Sequence, residues 1–438
     1  MILLYSEKKT KRLEYIVNHI FTRILGVNAE ICTSETDFER FFGYKINYSY
    51  KKYPYCLTIK PHSLLFETDI CPQSVVFSEY ENVPICFQTK EKADLPFDIF
   101  AASFYFLSRY EEYLFASKDV HQRFDATNSV AYKNNFLHLP LVDCWVEELK
   151  NVLKKTYPRL KFSSRKFSFT PTYDIDVAFA YTQKSVSLQM AGYAKLLLNL
   201  DLKKIATRTK VLLKKEEDPY YAFDYLEDMH RKYQLRPCYF FLAAEKKSKY
   251  DRNPAWENKA FQKLIRYLSF SSEIGLHASY YSKENPERIG QEKEYLQRIA
   301  NQPIVKNRFH FLRFNLPDSY RHLLTHGITE DYSMGYADHI GFRAGTCTPF
   351  LFFDLAKNTT ANLLIYPLLC MEQAFLKCRS VEEITQIFDL HIEQIKKYGG
   401  TLTTLFHNHA FDEKEVGKKW KNVLEYVFTN LNGKRKSQ

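Results

Sequence analysis

From residue 166 onward, apolar runs rich in β-branched and aromatic residues alternate with stretches whose apolar residues recur at helical spacing. "KFSFTPTYDID" (166–176), "PCYFFLAA" (237–244), "EIGLHAS" (273–279), "FHFLRFNLP" (309–317) and "TLTTLFHNHAF" (401–411) predict strands. "AFDYLEDMHRKYQL" (222–235), "NKAFQKLIRYLSF" (258–270) and "NPERIGQEKEYLQRI" (285–299) predict helices between them. A last helix is expected over "SVEEITQIFDLHIEQIKKYGG". Its apolar positions Val381, Ile384, Phe388, Ile392 and Ile395 fall on one face. Ser380 and Glu383 form a capping box, and Gly399 fits just past the end. Strand–helix alternation of this kind predicts a parallel sheet, open or closed into a barrel. The chain therefore reads as α/β over residues 165–430.

The first 160 residues follow another pattern. "YCLTIK", "SVVFSEY" and "VPICFQT" predict short strands, and "FDIFAASFYFLSRYEEYLF" predicts a mostly buried helix with an acidic patch. This is a smaller mixed α+β region. The composition shifts in "EELKNVLKKTYPRLKFSSRK" (147–166), where the boundary is expected. No window reaches the ~20 apolar residues of a membrane span.

Composition narrows the class. The chain has 438 residues, 45% apolar and 26% charged, as in ordinary globular proteins. Thirty-two Tyr and 35 Phe against 13 Gly imply large cores and little linker. Net charge is +11, thinly spread and ending in "NGKRKSQ". No basic stripe is interleaved with aromatics, so no nucleic-acid partner is expected. The surplus is that of a solvated basic surface, compatible with peripheral attachment to an anionic one. Nine cysteines form no CxxC pair and offer no zinc framework. Charges follow the first four apolar residues, without a secretory leader's apolar segment. Both features lead to the expectation of a cytoplasmic protein.

Polar residues at the strand ends carry the chemistry: Asp174 and Asp176, His277, Arg313 and His407. In a (β/α) barrel such positions gather on one rim. Asp174 and Asp176 flank one Ile and leave the same face of a strand. A divalent ion would resolve their repulsion. One carboxylate would ligate the ion, the other would accept a proton from water, and a His would protonate a leaving group. Together these parts suit hydrolysis of an amide or ester. The bland alternative for the two aspartates is capping of a following helix.

These residues resemble the NodB-homology polysaccharide deacetylases, carbohydrate esterase family four. "TYDID" resembles the first motif, which implies Asp174 as base and Asp176 as metal ligand. "EIGLHASYYS" resembles the second, with His277 in place and Tyr281 where the second His is usual. "FLRFNLPDSY" resembles the third, with Arg313 and Pro317. "GITEDYSMGY" offers Asp331 for the fourth, and "TLFHNH" puts the general acid of the fifth on His407, leaving His409 outside the immediate site. "GFRAGTCTPF" and the first 150 residues resemble a two-part bacterial architecture with a leading domain of unknown function. There Arg343 is a substrate contact or a loop anchor. The resemblance implies a distorted (β/α) barrel, a divalent metal such as zinc, and an acetylated carbohydrate, a bacterial glycan or its precursor, as substrate. With only Asp176 and His277 matched as ligands, weak metal binding is expected. The alternative is a catalytically degenerate fold that binds sugar or a partner protein.

Overall fold

The computed structural model describes residues 1–114, 118–412 and 415–432. The end of the predicted acidic helix at Phe115 and the basic tail beyond Asn432 lie outside them.

Four parallel strands open the chain: β1 (Ile2–Ser6), β2 (Ala29–Cys32), β3 (Tyr44–Tyr48) and β4 (Leu57–Thr58), in the order β2–β1–β3–β4. Only the last had been expected. A small antiparallel hairpin follows, β5 (Ser78–Tyr80) and β6 (Val83–Ile85). The expected acidic helix is two helices, Ile99–Leu107 and Tyr110–Leu114. Asp98 caps the first by accepting from the backbone of Phe100 and Ala101 at 2.9 and 3.0 Å. The break falls at Arg109, whose φ of 54° no helix accommodates. That turn carries the Arg109 guanidinium back onto Glu111 and Glu112, at 2.9 and 2.8 Å.

A nine-stranded sheet follows: β7 (Ser168–Ile175), β8 (Cys238–Leu242), β9 (Glu273–Ala278), β10 (Lys306–Phe309), β11 (Glu330–Met334), β12 (Phe350–Asp354), β13 (Thr359–Pro367), β14 (Cys370–Met371) and β15 (Thr401–His407). Its order is β12–β13–β11–β10–β9–β8–β7–β15–β14, parallel throughout except for β12 against β13. The sheet curls until its ends meet. β13 pairs with β11, and Leu368 just beyond it donates to Met334 O at 2.9 Å. One residue later Leu369 donates to Thr403 O on β15, and β14 continues that pairing. The stretch 359–371 thus bonds β11 on one side and β15 on the other, which closes a distorted parallel barrel of the expected class. β12 is an antiparallel addition outside the ring.

Helices Phe223–Tyr233, Lys259–Ser269, Glu287–Ala300, Asp318–Thr325, Val381–Lys397 and Glu415–Asn432 accompany the barrel. Ser380 caps the fifth by accepting from Glu383 N at 3.2 Å, and the Glu383 carboxylate accepts from Arg379 N. Gly399 ends it with φ 62°, close against Arg165 O, where a Cβ would clash.

One apolar core runs through both regions; Tyr15 and Phe104 pack against Phe353 of β12. Asp143, wholly buried, accepts from Thr346 Oγ1, Thr348 Oγ1 and Cys347 N and faces Arg165 at 3.0 Å. A carboxylate so supplied stays ionised: burial pushes its pKa up, but Arg165 and these donors hold it below its usual value.

Candidate metal centre

β7 ends in Tyr173-Asp174-Ile175, and alternation sends Asp174 inward while Asp176 follows at the rim. Asp176 is the hub. Its Oδ1 lies 3.1 Å from His277 Nε2, and its Oδ2 lies 3.4 Å from both His310 Nε2 and His407 Nε2. His277 comes from β9, His310 from the turn after β10, and His407 from the end of β15.

The far nitrogen of each ring is fixed. His277 Nδ1 lies 2.8 Å from the carbonyl of Arg308, which can only accept. His310 Nδ1 lies 3.0 Å from Asp251 Oδ1, and His407 Nδ1 bonds Glu372 Oε1. Each Nδ1 therefore carries a proton, and in the neutral rings three Nε2 lone pairs face one carboxylate. Such a meeting of lone pairs needs a metal ion, or protons on the rings, among them. Asp176 Oδ1, buried, has no hydrogen-bond donor of its own. The ligand atoms of Asp176, His277 and His310 lie within 4.8 Å of one another, and an acceptor behind each imidazole is the usual support of a metal-bound histidine. The residues fit a divalent ion.

In the metal-free fold, protons take that place. Burial pushes the Asp176 carboxyl up, but His310 and His407 hold it well below the usual range. Burial lowers His310, yet Asp176 and Asp251 carry it up to about 9. His407 is likewise raised, against burial, by Glu372 and Asp176.

Asp174 lies beside this centre, its Oδ2 3.6 Å from His277 Nε2. Its Oδ1 accepts from Arg308 Nη1 at 2.8 Å. Arg308 is fully buried on β10, stacked 4.5 Å from the Phe240 ring and bonded through Nε to Tyr332 O. Arg313, expected near the aspartates, is engaged elsewhere. It donates to Glu284 at 2.7 Å, to Tyr280 O at 2.8 Å and to His121 O at 3.0 Å, and lies over the Tyr280 ring. It ties the turn after β9 to the N-terminal region, and Arg308, five residues earlier, holds the carboxylate.

Tyr281 is outside the ligand group. Its ring meets Tyr280 edge-on beneath Arg288, and the third member of the candidate ligand group, beside Asp176 and His277, is His310. Asp331 is fully buried on β11, its oxygens filled by Asn307, Tyr320 and Ser333 at 2.8–3.1 Å, so it locks adjacent strands. Arg343 is the anchor of its two readings: it grips Glu112 at 2.9 and 2.7 Å and Gly335 O at 3.0 Å. His409 stacks near His407 at 5.1 Å and groups with Glu372 and His407. His310, Asp251 and Glu372 were missed; His310 stands just past a strand end, where the rim rule would have found it.

A groove of about 650 Å³ between Phe179, Tyr181, Tyr220 and Arg252 neighbours the centre through Val177 and Asp251 but is not lined by Asp176 or the three histidines. Five cationic side chains, Lys184, Lys204, Arg208, Lys247 and Arg252, line it beside the three aromatic rings.

Comparison with known proteins gives three findings. Residues 2–158 match a family of unknown function (DUF7033). No curated protein matches the chain. Solved structures similar to it include a family 4 acetyl xylan esterase from Clostridium thermocellum in complex with a cobalt ion, at 12% identity over 61% of this chain and 85% of that one, TM-score 0.29. A variant of the peptidoglycan deacetylase PdaC from Bacillus subtilis is 11% identical over 62% and 85%, TM-score 0.29. Puue allantoinase is 10% identical over 61% and 86%, TM-score 0.37.

Proposed function

We propose that the protein is a metal-dependent hydrolase that removes N- or O-acetyl groups from a carbohydrate. The observation that carries this reading is the convergence of three imidazole Nε2 atoms on Asp176, beside a second carboxylate held by Arg308. One carboxylate and neutral imidazoles suit zinc or a similar ion. Asp176, His277 and His310 would hold it, and when bound it supplies Lewis-acid polarisation of an acyl carbonyl and a lowered pKa for water.

The chain's own residues do the rest. Arg308 fixes one oxygen of Asp174 and leaves Oδ2 to accept the proton of the attacking water. His407 carries a proton on Nε2, because Glu372 and Asp176 stabilise its charged form. It gives that proton to the sugar nitrogen or oxygen as the acyl bond breaks. Acetate and a free amine or hydroxyl result. The binding-only alternative rested on the missing second-motif histidine; with His310 at the centre, it loses that support. All nine cysteines are free, which suits a reducing compartment and hence a glycan precursor as substrate.

The test is acetate release from N-acetylated and O-acetylated oligosaccharides by zinc-loaded and metal-stripped protein. Release that requires metal is expected. Stoichiometric metal without release from either class, or from an aryl acetate, would sink the hydrolase reading.

A further inference from the structure

Helices Val186–Leu198 and Leu202–Leu212 form a hairpin inserted between β7 and β8. The first helix has no buried residue. The hairpin is braced from within. Arg208 stacks 4.9 Å from the Tyr193 ring and donates to Gln189 Oε1 at 2.5 Å, and Tyr193 Oη bonds Thr209 Oγ1 at 2.9 Å. Gly192 permits the close approach of that guanidinium.

What the hairpin shows to solvent is unlike the rest of the surface. At its tip Leu197, Leu198, Leu200 and Leu202 are 59, 85, 83 and 70% exposed. Val186, Leu188, Met190 and Leu213 add to them, so eight of the 20 exposed large apolar residues described fall within residues 186–213. Single exposed leucines need no explanation, but a concentration of this kind marks an interaction surface. Residues 184–215 also hold eight Lys and Arg, of which Arg208 is buried and Lys204 and Lys210 pair with Asp201 and Glu216. Lys195 and Lys203 lie exposed beside the leucine tip.

We infer that this hairpin docks the protein on a bilayer surface containing anionic lipid. Aliphatic side chains enter the headgroup–acyl boundary while lysines at the same level meet phosphates. Charge selects this occupant. A second copy would bring like charge against like. Protein interfaces favour Tyr, Trp and Arg at their centre and are poor in Lys, whereas this tip is Leu and Lys. Helices of 13 and 11 residues are too short to span, and no described helix is long and apolar enough to cross a membrane. Leu188, Gly192 and Arg208 also wall the groove beside Asp251, so docking sets the groove's mouth at the lipid surface. The docking inference is independent of the hydrolase reading.

The experiment is co-sedimentation of the full chain with phosphatidylcholine vesicles, with and without phosphatidylglycerol. Binding to the anionic vesicles is expected, weakened by salt. Leu198→Ser/Leu200→Ser should weaken it about tenfold or more, and Lys195→Glu/Lys203→Glu similarly, with acetate release from a soluble substrate and the melting temperature unchanged. Wild-type protein left in the supernatant, or anionic-vesicle binding indifferent to both double variants, overturns the inference. So does a vesicle-free dimer that the leucine substitutions dissolve, which would make the patch a self-association face.

Discussion

At Glu112 two arginines meet one buried carboxylate; at Asp176 three imidazoles do. The first cluster is complete. Arg109, Glu111, Glu112 and Arg343 balance two charges of each sign, and none of the four holds a buried polar atom without a partner. The second keeps spare valence: Asp176 Oδ1, Glu372 Oε2 and Arg308 Nη2 are buried and unpartnered. A closed network fixes two parts of a fold together; an open one of the same residue types keeps capacity for a further group. Sequence does not separate the two, since both read as charged residues beside aromatic runs.

Substitutions sharpen the contrast. The largest effect is expected for Asp174→Asn, which keeps the shape and removes the proton acceptor. Turnover should fall by roughly two to four orders of magnitude while metal content holds, read by acetate release and metal analysis. Asp176→Asn should lose the metal itself; equal metal loss in both variants would merge the two roles.

In the closed cluster, Glu112→Ala leaves Arg343 and Arg109 buried without their shared partner. Denaturant unfolding should register a loss of about 3–5 kcal/mol, with metal stoichiometry intact. A near-neutral result would mean that the cluster is not closed as described.

Behind the open cluster, Asp251→Asn removes the carboxylate that orients His310. Chelator competition should find metal affinity down by about 10–100-fold.

Proton competition comes next. His310 is raised from 6.5 to about 9 in the metal-free fold, so the stability it contributes is full below pH 6.5 and lost as pH rises through about 9. A metal must displace that proton. Affinity should therefore climb with pH across this window, whereas Asp176, depressed well below its usual range, adds no slope there. Flat affinity would argue against His310 as a ligand. The smallest effect belongs to Tyr281→His: with His310 already in place, metal affinity should stay within about threefold of wild type.

β7, β8, β9 and β15 were legible because each announces its own period, and Asp174, Asp176, His277 and His407 because they stand at strand ends; β11 to β14 were not expected, and the strand expected over 309–317 is the turn that follows β10. Arg308 was not, since an arginine inside a strand becomes a partner of Asp174 only when β10 and β7 curl toward each other. Asp251 and Glu372 lie in irregular segments whose approach to His310 and His407 is tertiary. β1 reads as five apolar or small residues with no alternation, because both its faces are buried. The hairpin's exposed leucines cannot be told from core leucines by periodicity alone.

The pairing of β15 with β7 has a kinetic corollary. Ser168 and Thr401 sit opposite each other yet are 233 positions apart, and the same register sets His407 beside Asp174. During synthesis β7 can take β8 as a neighbour early, while its other edge waits for more than half of the chain. Non-local closure of this kind is slow, and an open apolar edge invites pairing with other chains. Until β15 arrives, the nascent protein lacks both His407 and its seal, so refolding yield should depend steeply on protein concentration.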